Sequence, residues 1–422
     1  MSLANGRPYL AIPGPSVMPD RVLQAMHRPA PNIYEGALPE MVDTIFPDLK
    51  AVARTRGEVA IYIANGHGAW EAALSNVLSR GDRVLVLSTG HFAKGWGAIA
   101  ERFGAVVEVL DFGPRSGVDA SAVEERLRAD TGHAIRAVLC VQVDTASSVR
   151  NNVPAIRDAM DAAGHPALLL LDCIACLACD DLRMDDWGVD VVVTGSQKGL
   201  MTPPGLGFVF FNEKAAEARA RADCVTSYWD WVPRTRADIF YQYFFGTAPT
   251  HHLFALREAL DMLVREEGLD AALARHAVLA RAVWAAFDAW DTPGGVSLNI
   301  ADPASRSHAV TALRCTAPHG AQLRSWMEHE AGVTLGIGLG MAAPGTPEAA
   351  GFFRIGHMGH VNPHMVLGVL ASLQAGMAAL DVPHAPGGVD AATRVIAQAA
   401  RPAGSVAAGT TPAGRVSVCC GD

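Results

Sequence analysis

The strongest constraint in this 422-residue chain is an alternation that runs through its first half. Short β-branched or leucine-rich runs take turns with alanine-rich stretches whose apolar residues recur every three or four positions. A strand hidden on both faces reads as a continuous apolar run, and a helix covering it needs only one apolar stripe, so the alternation implies a sheet with helices on both faces. The pattern predicts strands at Val59–Ile63, Arg83–Ser88, Val106–Asp111, Ala137–Val143, Ala167–Asp172, Val189–Thr194 and Gly207–Phe211. It predicts helices at Gly68–Leu78, His91–Phe103, Ala120–Arg128 and Val153–Ala163. The expectation is an α/β domain with a mostly parallel sheet of about seven strands.

From His251 to Trp290 the pattern turns helical and carries the chain away from that domain. A smaller α+β region follows, with strands expected at Ser307–Thr316 and Phe352–Ile355 and helices at Gly320–Glu330 and Pro363–Leu380. The expected organisation is an N-terminal arm over 1–20, a large domain over 21–265 and a small domain over 266–382. Residues 383–422, rich in Ala, Gly and Pro with few large apolar side chains, are expected to be a flexible tail holding Cys419 and Cys420.

Half of the residues are hydrophobic and 18% are charged, which excludes general disorder. A net charge of -9 without a basic cluster argues against nucleic acid as a partner. Met1–Ser16 lacks a charged-then-apolar leader pattern, and no stretch reaches the roughly 18 apolar residues of a membrane span. A cytoplasmic protein with no membrane partner is therefore expected, with its eight cysteines reduced. Cys173, Cys176 and Cys179 lack a second ligand pair, so no metal is assigned to them.

Three segments carry chemistry. In Val191–Phe211 a β-branched run ends in Thr194-Gly195-Ser196-Gln197-Lys198, and Pro203-Pro204 follow. That puts Lys198 just past a strand end, where ligands bind in open α/β sheets. Leu168–Leu171 run straight into Asp172, a carboxylate at the mouth of a buried strand that must find a partner: a helix end, a salt bridge or a cationic ligand nitrogen. Asn65-Gly66-His67-Gly68-Ala69-Trp70-Glu71 follows a strand and opens a helix, a place where backbone N–H groups and the helix dipole attract a phosphate. Such a turn is also common as mere architecture. A lysine, an acid and a phosphate cradle together are what an electrophilic pyridine cofactor requires.

The order of motifs resembles the class V family of pyridoxal-phosphate aminotransferases, in its alanine–glyoxylate and serine–glyoxylate branch. The resemblance extends from about Tyr9 to Leu380 and includes Pro13-Gly14-Pro15-Ser16, Asn65-Gly66-His67 with Glu71 and Asp144-Thr145-Ala146-Ser147. It continues through Asp172, Gly195-Ser196-Gln197-Lys198, Pro203-Pro204-Gly205, Thr247-Ala248-Pro249 and Phe353-Arg354-Ile355-Gly356. It implies the type I fold of these enzymes and pyridoxal 5'-phosphate as cofactor.

It also implies residue roles. Lys198 would hold the cofactor covalently and then carry a proton at the substrate, while Asp172 would pair with the ring nitrogen. Asn65, Gly66, His67 and Gln197 would bind the phosphate, with Thr247 supplied by the other subunit of a homodimer. Thr145 would contact ring substituents, and Phe92 stands where the family commonly stacks a tryptophan. Gly14, Tyr34 and Arg354 would meet the substrate; the planar fork of an arginine matches an amino-acid carboxylate. A structural reading of Arg354 pairs it instead with an acid between domains.

The histidines His251, His252, His357, His360 and His364 are read as hydrogen-bonded or solvated, and Trp229 and Trp231 as packing residues. The function expected is transfer of an amino group from serine or alanine to glyoxylate or pyruvate by a ping-pong mechanism. Ureidoglycine–glyoxylate and pyridoxamine–pyruvate aminotransferase are the alternatives, because the segment Asn32–Gly36 departs from the glyoxylate enzymes. A desulfurase is disfavoured, since Cys224 and Cys315 are poor nucleophile candidates. A catalytically silent binding module is disfavoured by the joint presence of Lys198, Asp172 and Arg354.

Overall fold

A computed structural model describes residues 3–401. The strands in chain order are β1 (Tyr9–Ala11), β2 (Glu58–Ala64), β3 (Arg83–Ser88), β4 (Val106–Asp111), β5 (Ile135–Val141), β6 (Leu168–Asp172), β7 (Val191–Gly195), β8 (Gly205–Phe211), β9 (Ser297–Leu298), β10 (Val310–Arg314), β11 (Val333–Ile337) and β12 (Phe352–Gly356). They form a seven-stranded sheet in the order β2-β8-β7-β6-β5-β3-β4 and a five-stranded sheet in the order β1-β11-β12-β10-β9.

The large sheet is parallel except at β8, which runs antiparallel to both β2 and β7. Alternate residues of each strand feed opposite layers, as the period of two requires. Val59, Ile61, Leu85, Leu87, Leu169, Leu171 and Val192 enter one apolar cluster. Ala60, Tyr62, Val84, Val86, Leu168, Leu170 and Val191 enter the other. Both faces are thus dry, so the strands read as unbroken apolar runs.

The α/β architecture expected from the sequence is therefore present, and β3 and β4 have the expected limits. The expected strand at 137–143 starts earlier, at Ile135, and stops at Val141; beyond it the Gln142 N–H donates to the Asp172 carbonyl (2.9 Å) and Val143 bridges to Arg150. The helical stretch expected from His251 to Trp290 is not continuous. A helix over Thr250–Leu260 passes into a π-helical turn, Asp261–Glu267, and a second helix, Leu269–Trp290, begins after Gly268 at φ 82. Glycine accommodates that left-handed backbone where another side chain would be strained.

Two terminal expectations need correction. Within the expected arm, Tyr9–Ala11 pair in parallel with Val333–Leu335, so the N-terminal segment is a strand of the second sheet. The expected tail holds a helix, Gly388–Ala399, with Ala392 buried beside Val389, Val395 and Ile396 in the second apolar cluster. Gly388 lies so near the Trp290 indole that a Cβ there would collide with it. A short amphipathic stripe is enough to dock a helix on an existing core, even where composition reads as low in large apolar residues. Cys419 and Cys420 lie outside the described residues.

Candidate active site

Because β2, β3, β5, β6 and β7 run the same way, their carboxyl ends lie along one edge of the large sheet. The singled-out residues follow those ends: Asn65 and Gly66 after β2, Phe92 after β3, Thr145 after β5, Asp172 at the end of β6 and Lys198 after β7. This edge is where an open α/β sheet leaves a crevice for ligands.

Lys198 is part-buried, with its Nζ turned inward and donating to the Pro13 carbonyl. The N-terminal segment reaches it because β1 is anchored in the second sheet. Ser16 then accepts nothing from the lysine side chain but donates its hydroxyl to the Lys198 carbonyl (2.7 Å), and its N–H bonds the Gln197 carbonyl (2.9 Å). Burial, then the Arg354 charge, pushes the Lys198 amine down to about 8, against the opposing pull of Asp172. A larger share of neutral, nucleophilic amine is thus available near neutral pH than an ordinary lysine offers.

Asp172 is buried, and each of its oxygens accepts one hydrogen bond: Oδ1 from the Ile174 N–H (2.7 Å) and Oδ2 from the Trp70 indole (2.9 Å). Burial pushes its carboxyl up to about 7, resisted by those two donors and by Lys198. The acid and the amine are therefore within electrostatic reach of each other, and a basic ring nitrogen beside Asp172 would restore a full carboxylate.

The turn after β2 is built for a small anion. The helix Gly66–Val77 starts there, and Asn65 caps it, its side chain accepting from His67 N (3.0 Å) and Gly68 N (3.3 Å). Asn65 thus serves the helix itself. The Gln197 Oε1 is buried without a hydrogen-bond partner. A Cβ on Gly195 would lie 2.9 Å from that oxygen and 3.6 Å from the Gly66 N, and one on Gly68 would lie 3.1 Å from the Trp229 ring. These glycines keep open a cradle bounded by Gly66, Gln197 and Trp229. The His67 ring packs edge-on against Trp70 at 4.7 Å, and burial, then His91, holds its pKa below the ordinary value.

Arg354, on β12 of the second sheet, is 6% exposed. Its Nε donates to the Ile337 carbonyl (2.6 Å) and one terminal nitrogen donates to the Thr145 carbonyl (2.8 Å). No ion pair among the described residues involves it. The structural alternative, a guanidinium paired with an acid between domains, is thus absent from the described residues. Burial lowers its pKa to about 10, against the opposing pull of the Asp144 carboxylate, so it is still charged at neutral pH and, among the described residues, has no carboxylate at ion-pair distance.

Two residues were not assigned a role from the sequence. Asp144 is buried and accepts backbone N–H groups from Phe92 (2.8 Å), Ala93 (3.4 Å), Ala146 (2.9 Å) and Ser147 (3.3 Å). One carboxylate so ties the start of the Phe92 helix to the Thr145 loop that holds Arg354. Its signal was present, since it is an acid just past an apolar run, as Asp172 is. Trp70 carried no signal beyond its place in the phosphate turn. Thr247 and Tyr34 are exposed, Tyr34 at 76%, and neither is drawn into this cluster within one chain. The Cys173 and Cys176 thiols donate to Gln142 Oε1 (3.2 and 3.4 Å) beneath the site.

Residues 40–362 match the aminotransferase class-V family. The serine–glyoxylate aminotransferase of Methylorubrum extorquens is 38% identical over 396 residues, covering 92% of this chain and 96% of that protein. An L-aspartate–glyoxylate aminotransferase of Paracoccus denitrificans is 35% identical over 378 residues, covering 88% and 91%. Among solved structures, the pyridoxamine–pyruvate aminotransferase of Mesorhizobium loti superposes with a TM-score of 0.83 at 26% identity, covering 95% of this chain and all of that one.

Proposed function

The chain belongs to the class-V aminotransferase family, and from that premise we propose that it transfers an amino group from serine or alanine to glyoxylate or pyruvate by a ping-pong mechanism, with pyridoxal 5'-phosphate as its cofactor. The observation that carries the reading is the pairing, on one sheet edge, of a part-buried low-pKa lysine with a buried acid, opposite an arginine that makes no ion pair among the described residues.

When bound, pyridoxal phosphate supplies the electron sink that makes a proton on the substrate Cα removable. Lys198 would attach it, and the freed Nζ would take and return the Cα proton. Asp172 would hold the proton on the ring nitrogen, and the Phe92 ring would lie against the cofactor. Gly66, His67 and Gln197 would receive the phosphate, the last through its amide nitrogen. Asn65 would act by capping the turn, and Thr145 by fixing Arg354 through its carbonyl. Arg354 would grip the substrate carboxylate bidentately, and Gly14 would leave room for both Lys198 and substrate.

A homodimer is part of the proposal. Thr247 and Tyr34 are exposed in one chain, and Ile63, Tyr241 and Phe245 are exposed apolar residues close by the phosphate turn or the Thr247 loop, which supports a partner subunit covering this side. No helix among the described residues is long and apolar enough to cross a membrane.

The test is a panel of donors against acceptors with products identified by mass. Serine or alanine with glyoxylate or pyruvate should turn over fastest. Turnover only with aspartate, ureidoglycine or pyridoxamine as donor would overturn the substrate assignment and leave the family intact.

Gly14→Ala probes the space around the lysine. Gly14 has φ 91, and a Cβ there would sit 2.5 Å from the Lys198 Cδ and 2.7 Å from its Nζ. Displacing the amine by even a fraction of this overlap should lower kcat/KM by roughly a hundredfold. The protein should also retain less cofactor that borohydride can fix to Lys198. Wild-type kinetics in this variant would show that Gly14 does not bound the reacting space.

A further inference from the structure

One indole touches three of the residues assigned to the cofactor, Asp172, His67 and Phe92. Trp70 is buried, donates to Asp172 Oδ2, meets the His67 ring edge-on at 4.7 Å and meets the Phe92 ring at 6.2 Å and 67°. Its far face stacks on Trp96 at 5.9 Å and 15°. We propose that Trp70 is a positioning residue for the aminotransferase reaction, its N–H locking the Asp172 carboxylate toward the cofactor ring nitrogen while its ring sets His67 and Phe92. This rests on the cofactor assignment of the preceding section.

The N–H is not there for stability alone. Trp96, Trp231 and Trp290 are equally buried, and their indole nitrogens have no hydrogen-bond partner. The fold therefore tolerates a silent buried indole, and Trp70 differs in aiming its donor at the one acid expected to face the cofactor. With Ile174 N–H on Oδ1 and Trp70 on Oδ2, the carboxylate cannot turn about its Cβ–Cγ bond without losing a donor in a fully buried setting. What remains is a fixed pair of outward lone pairs for a ring N–H.

A donor to the charged form of an acid also favours that form. The titratable groups that face Asp172 are Lys198 after β7, Asp144 after β5, Cys140 on β5, and Cys173 and Cys176 after β6. Burial raises all three thiols, so they are neutral at physiological pH. Asp144 is common to wild type and variant. Losing the indole donor therefore moves the Asp172 titration upward. Asp172 holds a proton in the folded apoprotein up to about pH 7, whereas its unfolded counterpart loses it near 3.8. Its contribution to apoprotein stability thus falls as pH rises through that window, and in Trp70→Phe the fall continues to higher pH.

The experiment titrates apoprotein with pyridoxal phosphate from pH 6 to 9 in wild type, Trp70→Phe and Trp96→Phe, with melting of each apoprotein over the same range. Trp70→Phe should bind the cofactor about tenfold more weakly near pH 7.5. The pH midpoint of its visible band should move upward, and its melting deficit should widen above pH 7. Trp96→Phe, which removes an unpartnered N–H from the neighbouring ring, should keep the wild-type midpoint. A wild-type midpoint in Trp70→Phe, or an equal shift in both variants, would overturn the inference while the cofactor assignment survives. Wild-type protein that took up no pyridoxal phosphate would overturn both. A measurement on wild type avoids any folding defect: an ¹⁵N-labelled indole N–H should titrate with the band and shift on cofactor addition, and indole resonances indifferent to both would overturn it.

Discussion

Lys198→Ala is expected to lower turnover by about ten-thousandfold, the upper range for removing a positioned acid–base group that is also a covalent attachment point. The expectation follows from the lysine's surroundings. Its amine is buried against the Pro13 carbonyl, between an acid at Asp172 and a cation at Arg354. No other lysine shares this setting: among the described residues Lys50, Lys94 and Lys214 bond carboxylates on the flanks of the domain. With the amine gone, water would have to carry the Cα proton without orientation. Borohydride reduction followed by peptide mass mapping should find cofactor on Lys198 in wild type and none in the variant. The variant should still melt cooperatively, since removing a cation that burial disfavours costs little. More than a tenth of wild-type turnover would remove Lys198 from the chemistry.

The second large effect concerns Arg354. Arg354→Ala is expected to lower kcat/KM by roughly a hundredfold to a thousandfold for both amino acid and oxo acid, the usual cost of truncating one partner of a buried, hydrogen-bonded charge pair. The loss should appear mainly in KM, because a carboxylate is held equally before and during proton transfer. Arg354→Lys should recover only a small part, since an ammonium supplies the charge without the planar fork. Amines that lack a carboxylate give the decisive comparison: their slow conversion should be unaffected by either substitution. If the variants lost these reactions in the same proportion, Arg354 would be acting on the fold and not on the carboxylate. The Ile337 and Thr145 carbonyls that now receive Arg354 would lose their partners in the alanine variant, so a modest fall in melting temperature should accompany the kinetic effect.

Much of this site could be read from the chain because its residues stand directly after strands. An apolar run that ends in an acid or in Gly-Ser-Gln-Lys states both the strand and the position of its mouth, as at Asp172 and Lys198. Arg354 was legible for a similar reason, a charge between Phe353 and Ile355 on a short buried strand. Less could be read where the informative partner is distant in sequence. Nothing near Tyr9 announces that it will pair with Val333, and a two-sided sheet edge accepts so short a strand only once the rest of the second sheet exists. The helix Gly388–Ala399 was hidden for the same reason, since its stability comes from Trp290 and its neighbours and not from its own composition.

Local periodicity was thus enough to determine the layered α/β domain and to place Lys198 just past, Asp172 at the end of and Arg354 within short buried strands, while the roles proposed for them came with the resemblance to class V aminotransferases. Those placements are written in segments a few residues long, where side-chain alternation and the carboxyl end of a strand have the same meaning in any fold of this class. Only the tertiary structure decided that Asn65 caps its own helix, that Asp144 ties the Phe92 helix to the Thr145 loop, and that the Trp70 indole points at Asp172 across 102 residues. Hydrogen bonds are directional and reach only about 3 Å, so which buried donor meets which acceptor is settled by the packing of whole layers, and no short stretch of sequence contains that information.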